Sequence, residues 1–209
     1  MFIIHAICER MVWLVTCFVT RILGSFKIIG RENIKEIPTP LMIISNHISF
    51  WDPMTIGTLF PFFSKYIPIT FMAADEFFKN PVLKIFFWLT NTIPTNRGAG
   101  YDVSLKKPRE ILKNGGVFLI FPSGQRHFDG SVQKPKRGAA ILALETPNLV
   151  ILPINIKMST LKWKPADIIL RRKRITLAAG KPFKLRDVTN SEDPDEIAII
   201  LAEEISKLA

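Results

Sequence analysis

The chain has 209 residues, of which 48% are hydrophobic and 22% charged, a balance that excludes a wholly disordered protein and fits one domain. Lysine and arginine outnumber aspartate and glutamate by 28 to 18, so the formal charge of +10 predicts an anionic partner. Sixteen phenylalanines and a positive mean hydropathy favour an anionic membrane surface and disfavour a nucleic-acid-binding module. Two cysteines, Cys8 and Cys17, are too few for a disulfide framework or a metal site.

Residues 1 to 24 form an apolar stretch that Glu9, Arg10 and Arg21 interrupt. The ten residues between Arg10 and Arg21 would cover about 15 Å as a helix, whereas the hydrocarbon core of a membrane is about 30 Å thick. Because spanning would bury two charges, we expect a membrane-associating segment that is interfacial or re-entrant, with a pair of helices broken near Glu9 and Arg10. An ordinary core helix is the alternative.

From residue 27 onward, short β-rich runs alternate with longer helical runs. Strands are predicted at Lys27–Ile29, Leu41–Ser45, Ile69–Ala73, Val117–Phe121, Val150–Ile156, Asp167–Leu170 and Arg174–Ala179. Helices are predicted at Pro53–Phe60, Pro81–Thr90, Val103–Asn114, Gly138–Glu145 and Asp193–Leu208. This alternation predicts a single α/β domain over residues 25–209, with a mixed, largely parallel sheet flanked by helices.

His47 and Asp52 lie between the predicted strand Leu41–Ser45 and the predicted helix that starts at Pro53. The five-residue offset lets the chain turn back, so that the carboxylate can reach one ring nitrogen of the histidine. The other nitrogen then stays free to take a proton from a substrate hydroxyl. On spacing alone, the commoner arrangement is Asp52 as the N-cap of its helix beside a buried, hydrogen-bonded His47.

Asn46 and His47, followed after four residues by Asp52, resemble the first signature of the glycerolipid acyltransferase family, whose members acylate glycerol 3-phosphate and lysophosphatidic acid. Three further runs resemble the remaining family blocks in their usual order: Thr92–Arg97 with Arg97, Phe118–Arg126, and Val150–Ile154. The resemblance covers residues 28 to about 157.

The resemblance implies direct transfer of an acyl group from acyl-CoA or acyl carrier protein to a hydroxyl of a lysophospholipid or glycerol-phosphate acceptor, without a metal or covalent enzyme intermediate. His47 would be the base and Asp52 its orienting carboxylate. We expect substrate contacts at Asn46, Arg97, Pro122, Ser123, Gly124 and Arg126. Arg97 and Arg126 could form a fork on a phosphate, because guanidinium groups carry paired donors. The expected location is the cytoplasmic face of an inner or plasma membrane.

The third block departs from its usual form, Phe-Pro-Glu-Gly-Thr-Arg-Ser. Ser123 stands in place of the glutamate, Gln125 in place of the threonine and His127 in place of the serine. The substitutions leave His47 and Asp52 unchanged, so they indicate a change in acceptor binding in preference to a loss of catalysis. They also keep open a second hypothesis, a catalytically silent lipid-binding or scaffold protein of the same fold.

Two basic segments lie outside these blocks. The run from Lys134 to Arg137 precedes the predicted helix Gly138–Glu145, a position that suits a phosphate of the acceptor or of CoA, and equally suits a solvated loop. The run from Arg171 to Arg174 joins two predicted strands and could meet acidic head groups or an acidic carrier protein.

Overall fold

The computed structural model describes residues 2–96, 98–127, 135–158 and 173–209. The predicted strand Asp167–Leu170, the residue Arg97 and the first half of the basic run, residues 171 and 172, fall outside these ranges. The strands of the described ranges are β1 (Gly24–Ile29), β2 (Leu41–Ser45), β3 (Ile69–Ala74), β4 (Thr92–Thr95), β5 (Val117–Ile120), β6 (Val150–Met158) and β7 (Lys173–Ala179). The α-helices are α1 (Phe2–Leu23), α2 (Asp52–Gly57), α3 (Pro81–Leu89), α4 (Gly100–Ser104), α5 (Lys106–Lys113), α6 (Gly138–Glu145), α7 (Leu185–Val188) and α8 (Pro194–Ser206), with 3₁₀ turns at Arg31–Ile34 and Asp75–Lys79.

The seven strands form one sheet in the order β1-β7-β6-β2-β5-β3-β4. Neighbouring strands are parallel except for the antiparallel pair β6 and β7. The central strand β2 has five consecutive buried residues, as expected of a parallel strand that helices cover on both faces. The sheet confirms the predicted α/β domain with a mixed, largely parallel sheet.

Alternate residues of the central strands enter two separate hydrophobic cores, because successive side chains of a strand point to opposite faces. Leu41 and Ile43 of β2 join the core that includes residues of α2 and contacts Val12 of α1. Met42 and Ile44 join the core that contains residues of α5, α6 and α8. Each buried Leu or Ile contributes roughly 1.5–3 kcal/mol, so both helix layers are held firmly against the strands that carry the site.

Helix α1 runs unbroken from Phe2 to Leu23, so the predicted break near Glu9 and Arg10 is wrong. The Glu9 carboxyl accepts a hydrogen bond from the Ile69 backbone N–H at 2.8 Å, and Arg10 Nε donates to the Phe62 carbonyl at 2.9 Å. Backbone groups of the domain therefore bind Arg10 and one carboxyl oxygen of Glu9, whereas Glu9 Oε2 is buried without a hydrogen-bond partner within the described ranges. The helix continues through both residues. Within the described ranges, every helix is too short or too polar to cross a membrane.

The predicted helix Val103–Asn114 is two helices, α4 and α5, which meet at Leu105. Pro108 explains the break, since a proline lacks the N–H and its ring clashes with the preceding turn inside a helix. In the first turn of α5, the missing donor is not needed. Strand β4 was not predicted. It has only four residues, one of which is Pro94, and it lies at the edge of the sheet.

Candidate active site

His47 and Asp52 meet on the short connection between β2 and α2. His47 Nδ1 lies 2.7 Å from Oδ2 of Asp52, and the side chains of the histidine and the aspartate are 18% and 2% exposed. The same carboxylate oxygen accepts hydrogen bonds from the backbone N–H groups of Ile48, at 2.6 Å, and Ser49, at 2.8 Å. Three donors thus converge on one buried oxygen.

The predicted N-cap role of Asp52 is wrong. Asp52 is the first residue of α2, the N-cap is Trp51, and the Asp52 side chain accepts no hydrogen bond from its own helix. Its carboxylate turns back toward the preceding loop. Pro53 in the first turn of the helix has no N–H, so this turn has one backbone donor fewer to satisfy. The aspartate therefore organises the loop that carries His47 instead of capping the helix.

The imidazole of His47 is held on its face as well as at Nδ1. Its ring stacks on Phe121, with 4.0 Å between ring centroids and 15° between ring planes. The His47 carbonyl accepts a hydrogen bond from the His127 backbone N–H at 2.7 Å, which ties the histidine loop to the segment after β5. Within the described ranges, Nε2 of His47 has no hydrogen-bond partner, so this nitrogen is available to a ligand.

A cavity of about 780 Å³ lies at the carboxyl edge of β2, β5, β3 and β4, and His47 is one of its lining residues. Ligands of open parallel sheets gather at this edge. One part of the lining is aromatic and aliphatic, and includes Phe50, Met54, Phe71, Phe77, Phe86 and Phe87. Another part is polar and includes Asn96, Gln125, Arg126 and Lys136. The site therefore joins an apolar compartment to a polar, cationic one.

The turn after β5 supplies the third-block residues. Pro122, Gly124 and Arg126, at which substrate contacts were expected, line the cavity. Ser123 is buried, is absent from the lining, and donates its hydroxyl hydrogen bond to the Gln125 carbonyl at 2.8 Å. The serine hydroxyl thus shapes the turn in this structure instead of facing the cavity.

Asn46 was expected to contact substrate, but its side chain is 1% exposed and does not line the cavity. Its Nδ2 donates to the Ile156 carbonyl at 2.9 Å, and its Oδ1 accepts from the Ile156 N–H at 2.7 Å. The strand β6, which contains the fourth block, therefore anchors the residue before His47. Arg97 lies outside the described residues, although its neighbour Asn96 lines the cavity.

Several cavity residues had no sequence signal of their own. Phe121 lies in the third block but has no role assigned from the sequence, Glu76 lies in a 3₁₀ turn, and Tyr101 lies on the short helix α4. Their positions follow from strand order, because only the folded sheet places β3 beside β5 and β4 beside β3. Lys136 was noticed as part of a basic run, and the structure places it in the cavity lining.

The family model for acyltransferases matches residues 25–157, more than half of the chain, and this protein belongs to the acyltransferase family. The match confirms the family resemblance based on Asn46, His47 and Asp52 and on the three later blocks.

Two curated relatives are 1-acyl-sn-glycerol-3-phosphate acyltransferases. The chloroplastic enzyme of Arabidopsis thaliana is 29% identical over 175 residues, which are 81% of this chain and 47% of that protein. The Bacillus subtilis enzyme is 31% identical over 122 residues, 57% of each chain. This chain thus spans about half the length of these relatives. The crystal structure of the 1-acyl-sn-glycerophosphate acyltransferase from Thermotoga maritima has the same fold, with a TM-score of 0.67 at 21% identity, covering 96% of this chain and 79% of that one.

Proposed function

We propose that this protein is an O-acyltransferase that moves a fatty acyl group from an acyl thioester, acyl-CoA or acyl carrier protein, to a hydroxyl of a lysophospholipid or glycerol-phosphate acceptor. One observation carries the proposal: Nδ1 of His47 is bound to the buried carboxylate of Asp52 while the imidazole lines a large cavity. The curated relatives named above support the glycerol-phosphate class of acceptor.

His47 acts in this proposal as the general base. Its Nε2 takes the proton of the acceptor hydroxyl as that oxygen attacks the thioester carbonyl carbon. The carbon–sulfur bond then breaks, and the imidazolium returns the proton to the leaving thiolate, so that ester and free thiol are the products. Asp52 keeps Nδ1 protonated and stabilises the imidazolium. Base catalysis of this kind contributes about 10²–10⁴-fold to the rate.

The division of the cavity supports the proposed substrates. The apolar lining around Phe71 and Phe87 suits an acyl chain, which gains about 0.8 kcal/mol for each buried methylene group. Arg126 in the polar part suits a phosphate, because guanidinium donors match phosphate oxygens in pairs. Phe50 and Phe121 flank the region where the reacting atoms would meet near His47.

A membrane surface is the proposed location, with the active site open to the cytoplasm. Every exposed side chain described on α1 is apolar, including Ile7, Met11, Val15 and Phe18, because Glu9 and Arg10 turn toward the domain. Helix α3 packs beside α1 and exposes three more apolar residues: Val82, Ile85 and Trp88. We call the exposed apolar residues of α1 and α3 the apolar helix face. Such a face can lie in the interface of an anionic bilayer without spanning it.

The alternative is a catalytically silent lipid-binding or scaffold protein, which Ser123 in the third block keeps open. The deciding experiment is an activity matrix of acyl-CoA and acyl carrier protein donors against glycerol 3-phosphate, lysophosphatidate and other lysophospholipids, with products identified by mass spectrometry. We expect an acylated phosphate-bearing product. If no donor and acceptor pair yields product, the enzyme hypothesis is wrong and the scaffold hypothesis stands.

A further inference from the structure

A second cation, outside the family blocks, lies against the turn after β5. Lys136 lines the active-site cavity together with Arg126, and its backbone N–H donates to the Pro122 carbonyl at 2.8 Å. That hydrogen bond holds the chain before α6 against the third-block turn. Lys136 is therefore fixed to the catalytic loop, although it lies ten residues further along the sequence than Arg126.

Gly124 determines where the lysine side chain can lie. A Cβ atom added at Gly124, where φ is 65°, would come within 3.0 Å of Lys136 Cδ and 3.1 Å of both Cε and Nζ. The lysine side chain thus passes close over the bare Cα of this glycine, where a Cβ atom would press against it and require a shift of a few tenths of an ångström. Gly124, at which a substrate contact was expected, lines the cavity and also leaves room for the Lys136 side chain.

The ammonium group of Lys136 has no carboxylate within ion-pair distance in the described ranges, whereas the adjacent Arg137 is paired with Asp195 on α8. Among the described residues that line the cavity, Arg126 and Lys136 are the arginine and the lysine, and Glu76 is the acidic side chain. When a cation in a cavity lining has no ion-pair partner, an anionic ligand can bind it without the free-energy cost of breaking an existing ion pair.

We propose that Lys136 binds the phosphate of the acceptor together with Arg126, and so selects phosphate-bearing acceptors over neutral ones. The inference rests on the proposed acyl transfer, since it assigns the acceptor subsite of that reaction. A phosphate could also come from CoA, and the two sources differ in which substrate loses affinity when the lysine charge is removed.

The test compares Lys136→Met with Lys113→Met. Methionine keeps the apolar stem of lysine and removes its charge. Lys113 ends α5 before β5 starts, so it lies at the opposite edge of the sheet from Gly124. For Lys136→Met, we expect KM for lysophosphatidate to rise about tenfold or more, with kcat nearly unchanged, because a hydrogen bond to a charged group is lost. Lys136→Arg should restore most of the affinity, and Lys113→Met should match the wild type.

Two further arms separate the sources of phosphate. The KM for monoacylglycerol, which lacks phosphate, should be the same for wild type and Lys136→Met. The preference for acyl-CoA over acyl-pantetheine should also be the same in both proteins. A higher KM for acyl-CoA with an unchanged KM for lysophosphatidate would overturn the proposal. Calorimetric titration with monomeric lysophosphatidate gives a readout that needs no turnover: equal Kd values for wild type and Lys136→Met would also overturn it, even in a protein that proves inactive.

Gly124→Ala offers an independent check of the contact. The added methyl group should press against the Lys136 side chain and shift it by a few tenths of an ångström, so Gly124→Ala should raise the Kd for lysophosphatidate modestly in the wild-type background and add little in the Lys136→Met background. Fully additive effects of the two substitutions would contradict the role assigned to the glycine. Thermal unfolding of each variant shows whether the strain of alanine at a positive φ has disturbed the fold.

Discussion

The side chain of Asn46 hydrogen-bonds to the backbone of Ile156 in both directions, with Nδ2 donating at 2.9 Å and Oδ1 accepting at 2.7 Å. The paired strands β2 and β6 end their register at Ser45 and Ile154, so the asparagine extends the ladder by one step with its side chain. His47 follows directly. The bond pair thus links the position of the proposed base to a strand more than a hundred residues away in sequence.

Asn46→Ala should lower the free energy of unfolding by about 2–4 kcal/mol, because it leaves the buried N–H and C=O of Ile156 without partners. The proposed positioning role also predicts a fall in kcat. The matched control is Asn155→Ala, which removes a single hydrogen bond, to the Ile205 carbonyl, on the opposite side of the same strand. Urea unfolding and steady-state kinetics check both effects. An Asn46→Ala protein as stable and active as Asn155→Ala would refute the anchoring role.

Stability should depend on pH through Glu9. Burial raises the pKa of this carboxyl from 4.5 to about 8, against the opposing effects of the Ile69 N–H and Arg10. The folded protein therefore keeps a proton that the unfolded chain releases near pH 4.5, so the free energy of unfolding should fall as pH rises from about 4.5 to 8 and level off above. The full loss is on the order of 5 kcal/mol.

Glu9→Gln is the control for this dependence. The amide can still accept the Ile69 hydrogen bond and does not titrate, so the slope over this range should become much smaller. Urea unfolding at closely spaced pH values measures the slope. An unchanged slope in Glu9→Gln would assign the pH dependence to other groups.

Met54 should limit the length of the acyl chain. A second cavity of about 20 Å³ lies under α1, and Pro53, Met54 and Phe71 line both this cavity and the active-site cavity. Met54→Ala should join the two spaces and shift the donor preference toward longer chains, by up to about fourfold in kcat/KM for each additional buried methylene group. Competition between donors of mixed chain length, with products resolved by mass spectrometry, measures the preference.

Met72→Ala is the matched control for Met54→Ala. Met72 lines the active-site cavity from the other face of the sheet and does not line the small cavity. It therefore adds volume without joining the two spaces. Equal shifts in chain-length preference for both variants would contradict a partition at Met54.

The apolar helix face should decide vesicle binding. Ile7→Glu combined with Phe18→Glu places two carboxylates on α1 where a bilayer interface is proposed, and should weaken binding to anionic vesicles by about tenfold or more for each substitution. Val103→Glu, an equivalent change of an exposed residue on α4, should leave binding unchanged. Vesicle co-sedimentation measures the difference. Equal binding by the wild type, the double variant and Val103→Glu would show that the membrane contact is not the apolar helix face.

Much of the fold could be predicted because its signals are local. The bounds of β2 and of α6 agree with the prediction. An apolar run between a proline and a serine defines the strand, and the helix starts at a glycine and ends before a threonine. The continuity of α1 could not be predicted, because the partners of Glu9 and Arg10 are backbone groups some fifty to sixty residues away. The family blocks are also local sequence signals, and residues of the first and third blocks line the cavity.

The roles of individual site residues were harder to predict than their places. Asn46 and Ser123 belong to family blocks, yet both side chains are buried and bonded to backbone, to Ile156 and Gln125 respectively. For Lys136 the sequence left the role open, because its basic run fitted a solvated loop equally well. The hydrogen bond to Pro122 and the contact with Gly124 place it over the third-block turn. Contacts between segments distant in sequence decide such assignments.

The central claim is that His47, oriented by Asp52, is the base of acyl transfer. The most direct measurement is kcat/KM for acylation of lysophosphatidate by His47→Ala and Asp52→Asn, with circular dichroism and vesicle binding as controls for folding and location. We expect a fall of about 10²–10⁴-fold in each variant, with both controls unchanged. Wild-type kcat/KM in His47→Ala would contradict the account.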